Sequence, residues 1–171
     1  IDVNNNNQYY SSDECGVLFN KEKTVLIQYP VANPRTLYTI PGGVTEIGGG
    51  AFNSATNLTN VNFPDSLITI SDSAFLNCWS ITSFDIPYSV KTIGDSSFGN
   101  CSNLEFISVD EENQYFSIDK YGVLFNKDMT ELIKYPVANT RETYTIPEGI
   151  SIIGDYAFDK AENLVHVYIP N

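Results

Sequence analysis

One histidine, three cysteines and a scatter of carboxylates are the side chains here that could do chemistry. General acid–base catalysis requires titratable groups that converge in a water-shielded pocket. His166 instead sits between Val165 and Val167 in an alternating apolar–polar run, which turns it outward together with Tyr168. It reads as an exposed surface histidine. Asp85 and Glu105 fall in adjacent repeat units; glycan cleavage would need such a pair across a cleft, within about 10 Å of each other, and the sequence predicts no cleft around them. The run Asp110-Glu111-Glu112 offers the hard oxygens that calcium takes. Its counterpart earlier in the chain is the uncharged Asn4-Asn5-Asn6, so a solvated loop is expected there. Gly48-Gly49-Gly50 suggests a phosphate cradle, but the equivalent triplets are Ser71-Asp72-Ser73, Gly94-Asp95-Ser96 and Gly154-Asp155-Tyr156. That slot is a generic turn, and its aspartates would repel phosphate. With no GxSxG, HExxH, Walker or dinucleotide-type glycine pattern, the sequence predicts no catalytic residue, no metal ligand, no cofactor and no enzyme. Cys78 and Cys101 occupy equivalent positions that hold Ala55 and Ala161 in other units, so small packed thiols are expected. A disulfide between adjacent turns stays open as the alternative, since neighbouring strands lie about 4.8 Å apart.

What positions these residues is a repeat. The segment from Ile107 copies the segment from Ile1 without a gap, and more than half of the aligned positions are identical, including Gly16 to Lys21 with Gly122 to Lys127 and Tyr29 to Asn33 with Tyr135 to Asn139. A shorter period is nested inside: Ile40-Pro41, Phe63-Pro64 and Ile86-Pro87 recur every 23 residues, as do Ile146-Pro147 and Ile169-Pro170. A fixed short period means stacked supersecondary units, each packed on its neighbours. One solenoid segment over 1–171 is expected, with short units 40–62, 63–85, 86–108 and 146–168 and long units 3–39 and 109–145. Apolar slots align between units: Val44, Leu67, Val90 and Ile150; Ile47, Ile70, Ile93 and Ile153; Phe52, Phe75, Phe98 and Phe158; Leu58, Ile81, Leu104 and Leu164; Val61, Phe84, Ile107 and Val167.

Within a unit, the closing L-x-x-V-x-F alternates like a half-buried strand and is ended by proline, which cannot donate to a ladder. V-x-x-I predicts a second extended piece, with a glycine turn after it at Gly48, Gly94 and Gly154. The A-F-x-x-C-x-x-L stretch is too short for a full helix and predicts one helical or 3₁₀ turn. The extra residues of the long units, GVLFNKEKTVLIQYP and GVLFNKDMTELIKYP, read as hairpins with four-residue loops projecting from one edge of the solenoid.

A formal charge of −12 disfavours nucleic acid and anionic membranes, which demand clustered Lys and Arg. No apolar run approaches the roughly 20 residues that span a bilayer. Ile1 already lies inside a repeat, so the chain reads as a piece of a longer array.

IPGGVTEIGGGAFNSATNLTNVNFP and IPYSVKTIGDSSFGNCSNLEFISV resemble BspA-type leucine-rich repeats, and the GVLFNK…LIKYP…YTIP unit is also similar to segments of such proteins. The resemblance covers essentially the whole chain. It implies a right-handed leucine-rich repeat solenoid of the α/β type, rich in strands and turns with little regular helix, and a parallel β-sheet on the concave side. It also implies a cell-surface or secreted, extracellular location and adhesion to host or neighbouring-cell macromolecules. The asparagine that forms a buried ladder in ordinary leucine-rich repeats is replaced by the column from Val44 to Ile150. Alternation places Leu37, Thr39, Asn60, Asn62, Ser83, Asp85, Phe106, Ser108, Thr143, Thr145, His166 and Tyr168 on the outward face of the concave strands. This shallow polar strip with aromatic anchors suits a protein partner, such as a host matrix or cell-surface protein, with glycan a further candidate. Tyr9, Tyr10, Tyr115, Phe116 and Tyr121 are expected to pack the hairpins onto the solenoid. A spacer displaying another domain is the alternative function.

Overall fold

The structure, a computed structural model, describes residues 1–170. Its regular elements are short strands, and no helix occurs among the described residues. In chain order they are β1 (Tyr10–Ser12), β2 (Leu18–Asn20), β3 (Val25–Gln28), β4 (Leu37–Thr39), β5 (Glu46–Ile47), β6 (Asn60–Asn62), β7 (Thr69–Ile70), β8 (Ser83–Ile86), β9 (Thr92–Ile93), β10 (Phe106–Val109), β11 (Phe116–Ile118), β12 (Leu124–Asn126), β13 (Glu131–Lys134), β14 (Thr143–Thr145), β15 (Ile152–Ile153) and β16 (His166–Tyr168).

The two extended pieces of each unit build two sides of a solenoid. The closing L-x-x-V-x-F motif forms front strands paired in parallel as β4–β6, β8–β10 and β14–β16, with Leu37 opposite Asn60, Ser83 opposite Phe106 and Thr143 opposite His166. The V-x-x-I motif forms back strands, which run in parallel as β3–β5–β7–β9 and again as β13–β15. Inward residues alternate with outward ones, so most strands contribute side chains to a central spine, whereas β1, β15 and β16 bury none.

The long units depart from expectation. β2 and β3 do form a hairpin around Lys21 to Thr24, and β12 and β13 repeat it. Neither hairpin projects from the edge. β3 continues the back sheet, pairing Leu26 with Ile47, and β13 pairs Leu132 with Ile153. The physical reason is apolar content: Phe19, Leu26, Phe125 and Leu132 are fully buried, so the hairpins supply the spine and cannot stand off it.

The A-F-x-x-C-x-x-L stretch is also not a 3₁₀ turn. It is a chain of tight turns in which Asn53 N donates to Gly50 O (2.9 Å), Ala55 N to Phe52 O (2.9 Å) and Leu58 N to Ala55 O (3.2 Å). Two left-handed residues per coil break any helical run: Gly50, Ser73, Ser96 and Tyr156 at the first position, Ser54, Asn77, Asn100 and Lys160 at the second. The amides freed by this path reach the next coil, as in Phe52 N to Ala74 O (2.8 Å) and Phe75 N to Ser97 O (2.8 Å). A left-handed backbone suits Asn and Gly and penalises a Lys side chain. Lys160 has φ +65 and an exposed side chain. Lys160→Asn is therefore expected to stabilise the fold by roughly 1 kcal/mol, read as a higher urea midpoint.

Packing follows the aligned slots. Phe52 stacks on Phe75 at 4.8 Å, Phe75 on Phe98 at 6.1 Å, and Tyr29 extends the column on Phe52 at 5.1 Å. Tyr135 on Phe158, at 5.4 Å, restarts it in the second copy. Val44, Leu67, Val90, Ile47, Ile70, Leu58, Ile81 and Leu104 are buried, whereas Ile153 and Val167 are 45% and 39% exposed. An asparagine ladder does run along this solenoid, at a different slot from the one expected. Asn100 Nδ2 donates to Asn77 Oδ1 (2.7 Å), and Asn77 Nδ2 donates to Asn53 Oδ1 (3.1 Å).

Candidate interaction surface

The front strands put Asn60, Asn62, Asp85, Phe106, Ser108, Thr143, Thr145, His166 and Tyr168 on one side in register. Phe106 (48% exposed) and Tyr168 (55%) are open anchors, and the His166 and Tyr168 rings lie 6.1 Å apart. Two corrections apply. Ser83 is buried, because Asn60 and Phe106 flank it in the adjacent coils and Asn60 Nδ2 donates to its hydroxyl. The row is also not continuous: the front strands pair only two by two, and the second long unit enters between β10 and β14. Asp85 accepts a hydrogen bond from the Ser108 hydroxyl one coil on, which ties its carboxylate down.

The tyrosines at the hairpins divide. Tyr9 is 76% exposed, Tyr10 47% and Tyr115 44%, so these rings do not pack the hairpins onto the solenoid as expected. Their backbone is instead held by asparagine: Asn7 Oδ1 accepts from the Tyr9 and Tyr10 amides, and Asn113 Oδ1 from those of Tyr115 and Phe116. Asn113 is fully buried, with Nδ2 donating to Pro87 O and Val90 O. Phe116 is buried. In the acidic run, Asp110 Oδ1 accepts from Glu112 N (2.9 Å) as a local turn.

Cys78 and Cys101 are free, buried thiols, with Cys78 Sγ 3.0 Å from Phe52 O and Cys101 Sγ 3.4 Å from Phe75 O. Burial pushes both thiols up, Cys101 to about 12. The reactive form of a thiol is its thiolate. The native chain is expected to yield one titratable thiol, Cys15, to a disulfide reagent, and all three once denatured.

Each long unit carries a groove that sequence reasoning missed. Asp119 opens it: Oδ1 accepts from the amides of Tyr121 (2.8 Å) and Val123 (3.1 Å), and Oδ2 accepts from Tyr144 Oη (2.9 Å). Asp13 and Tyr38 repeat this at 2.6 Å. Arg141 Cζ lies over the Tyr121 ring, 3.6 Å from its centroid, with Lys120 Nζ 4.8 Å from the same ring, and the groove continues along Thr143, Tyr144 and Thr145. In the first copy the lining is Asp13, Glu14, Cys15, Arg35 and Leu37 to Thr39. Against Tyr38 and Tyr144 of the two grooves pack Tyr29 and Tyr135, each at 5.3 Å, buried tyrosines whose hydroxyls have no partner among the described residues. The available signal was Arg35 and Arg141, exposed in both copies and yet identical.

Lys134 is a further buried polar group. It is 2% exposed, Nζ donates to Tyr156 O (2.8 Å), and burial lowers its pKa. The equivalent Gln28 donates to Tyr29 O and Ala51 O, so the position serves to satisfy carbonyls of the next turn.

The BspA type leucine-rich repeat region, as a family, matches residues 35–136 and 137–171 in six copies. This chain belongs to the BspA-type leucine-rich repeat family. Among solved structures, the pneumococcal vaccine antigen PcpA is 32% identical with a TM-score of 0.75, covering 79% of this chain and 34% of its own. A leucine rich cell surface protein from Faecalibacterium prausnitzii is 31% identical with a TM-score of 0.73, covering 78% of this chain and 35% of its own. A leucine-rich repeat protein from Eubacterium ventriosum, 24% identical with a TM-score of 0.57, shares the fold over 95% of this chain and 58% of its own. The BspA-type segment thus spans about a third of the first two proteins. No curated protein matches the chain. No helix of the described residues is long and apolar enough to cross a membrane, and no group of three or more His, Cys, Asp or Glu that could hold a metal ion occurs among them.

Proposed function

We propose that this segment is a non-enzymatic binding scaffold of a surface or secreted protein, contacting a macromolecular partner through the outward row of its front strands. One observation carries the proposal: Phe106, Thr143 and Thr145 stand open on strands whose opposite residues, Ile107 and Tyr144, are buried in the spine, and His166 and Tyr168 stand open beside them on β16. A partner meets side chains already held in place, so little ordering cost is added on binding. Exposed aromatic anchors within a polar rim are the composition of protein-binding patches. The pneumococcal and Faecalibacterium proteins, a vaccine antigen and a cell surface protein, support an extracellular setting; within it, adhesion to host or neighbouring-cell protein is the role we propose for the open front strands. Against catalysis stands the placement of the candidate groups: His166 is exposed on the last strand, and Asp85 is engaged by Ser108.

The test is a pull-down and surface binding assay against host matrix and cell-surface proteins, with wild type and the Phe106→Ala/Tyr168→Ala double variant. Binding that drops at least tenfold in the double variant, with an unchanged melting temperature, is the expected result. Binding indifferent to both rings would leave the segment a spacer.

A further inference from the structure

The front sheet stops at each long unit, and the way it stops leaves an unused edge. In a parallel ladder a strand's alternate residues bond to opposite neighbours. β14 uses Glu142, Tyr144 and Ile146 toward β16, as in Val165 N to Glu142 O (2.8 Å) and Ile146 N to Tyr168 O (2.9 Å). Thr143 and Thr145 therefore turn their amides and carbonyls to the other edge, and no backbone bond receives them among the described residues. β10 does not fill that place. The Asp119–Val123 turn lies against β10 instead: Gly122, at φ +75, is close enough to Ile107 that a Cβ on it would meet Ile107 N and O at 3.4 Å. Between this turn and the bare edge of β14 runs the groove that carries Lys120, Tyr121 and Arg141.

We propose that this groove is a strand-addition slot: an extended acidic peptide of a protein partner pairs with Thr143 and Thr145 of β14 and places a carboxylate on Arg141 and Lys120. It deepens the binding reading above by naming a partner chemistry and a second point of contact. Main-chain pairing to an exposed sheet edge supplies affinity, and the side-chain pockets beside it supply selectivity. Arg141 suits a carboxylate because its guanidinium is held over the Tyr121 ring, Cζ 3.6 Å from the centroid, and among the described residues its side chain makes no hydrogen bond. A planar fork fixed in this way meets a carboxylate with two donors at once. Asp119 does not neutralise the pair by direct bonding, since both of its oxygens are taken by Tyr121 N, Val123 N and Tyr144 Oη.

Local charge selects the occupant: Lys120 and Arg141 draw a carboxylate to this groove against the overall −12 charge and against Asp119 and the neighbouring Glu142. The first long unit repeats the geometry but not the chemistry. Its edge strand β4 leaves Leu37 and Thr39 free, while Glu14 and Cys15 replace Lys120 and Tyr121. The acidic selectivity belongs to the second slot.

The experiment is fluorescence polarisation on the whole chain with a labelled decapeptide alternating Thr and Glu. Comparison probes are the same peptide N-methylated at alternate amides, its Lys-for-Glu analogue, and a sialylated trisaccharide as a carboxylate carried by a sugar. Binding of the Thr/Glu peptide is expected, falling at least tenfold in Arg141→Gln and in Thr143→Pro, which removes an outward amide. N-methylation and Lys-for-Glu exchange are expected to abolish it. Peptide binding that is lost in Arg141→Gln, with no macromolecule captured in the pull-down above, would leave this slot standing and the broader binding face failed; capture of a macromolecule with no binding of the Thr/Glu peptide would overturn this slot alone. Equal binding of the N-methylated peptide, indifference to Arg141→Gln, or capture of the trisaccharide in place of the peptide would each overturn the proposal; the N-methylated probe decides the matter even if Thr143→Pro fails to fold.

Discussion

Phe75→Ala is expected to lower the unfolding free energy by about 4 kcal/mol, the middle of the range for truncating a buried aromatic. The ring is fully buried. It touches a partner on every side: Phe52 at 4.8 Å and Phe98 at 6.1 Å along the column, Phe84 at 5.0 Å and Phe63 at 5.7 Å across it. In a compact core the surroundings can partly collapse into such a hole. Here the backbone on both sides is pinned by bonds between coils, Phe52 N to Ala74 O and Phe75 N to Ser97 O, so collapse is limited and the cavity term stays large. Because each coil stabilises mainly its neighbours, a loss of this size also weakens coupling between the coils on either side. Urea unfolding followed by circular dichroism checks both points. The midpoint is expected to drop sharply, and the transition to broaden or split. Phe158→Ala, at a half-buried position with its stacking partner on one side, is expected to cost less. A cost below 1 kcal/mol for Phe75→Ala would contradict the stacked column.

The spine was legible because it depends on one number, the spacing. Phe52, Phe75 and Phe98 share a slot and sit one above another, as the 23-residue period requires. What the period could not reveal was the insertion. GVLFNK…LIKYP has the look of a free hairpin, but its alternation buries Phe19 and Leu26 on one face, and burial of that face makes the hairpin part of the back sheet. The same insertion interrupts the front row, which a list of equivalent positions presents as unbroken. Ser83 shows a second limit. Alternation gives the side of the sheet correctly, but whether a small side chain reaches solvent depends on the neighbours one coil away. The asparagine ladder from Asn53 to Asn100 was missed because Asn53 corresponds to Leu76 by strict spacing and joins Asn77 only through the local path of the turn. Arg141 was missed for a related reason: its role rests on Tyr121, twenty residues earlier in the chain and brought under it only by folding.

Alkali is expected to unfold this chain between about pH 10 and 12, with a steep transition. Tyr29, Tyr38, Tyr135 and Tyr144 all have their phenols raised, chiefly by burial, and Tyr38 and Tyr144 further by donating to Asp13 and Asp119. Burial likewise raises the thiols of Cys78 and Cys101. For a group whose folded pKa is raised, the stabilisation is complete below the unfolded pKa. It is lost as pH climbs past that value, because only the unfolded chain can release the proton. Each such group contributes a slope of about 1.4 kcal/mol per pH unit. Tyr38 and Tyr144, whose phenols are raised furthest, together remove up to about 3 kcal/mol per unit above the unfolded tyrosine value, and Tyr29 and Tyr135 act in the same direction. Lys134 runs the other way. Its folded pKa is lowered, so stability rises with pH until the unfolded amine has also lost its proton near 10.5, and beyond that it offers no further support. Tyrosinate absorbance and far-ultraviolet dichroism should therefore change together, and a chain still folded at pH 12 with every phenol ionised would sink the expectation. Tyr29→Phe/Tyr135→Phe sharpens the test. Those two hydroxyls have no partner, so removing them is expected to leave stability at pH 7 unchanged or slightly higher. It halves the number of buried phenols that drive alkaline unfolding, and the midpoint moves upward.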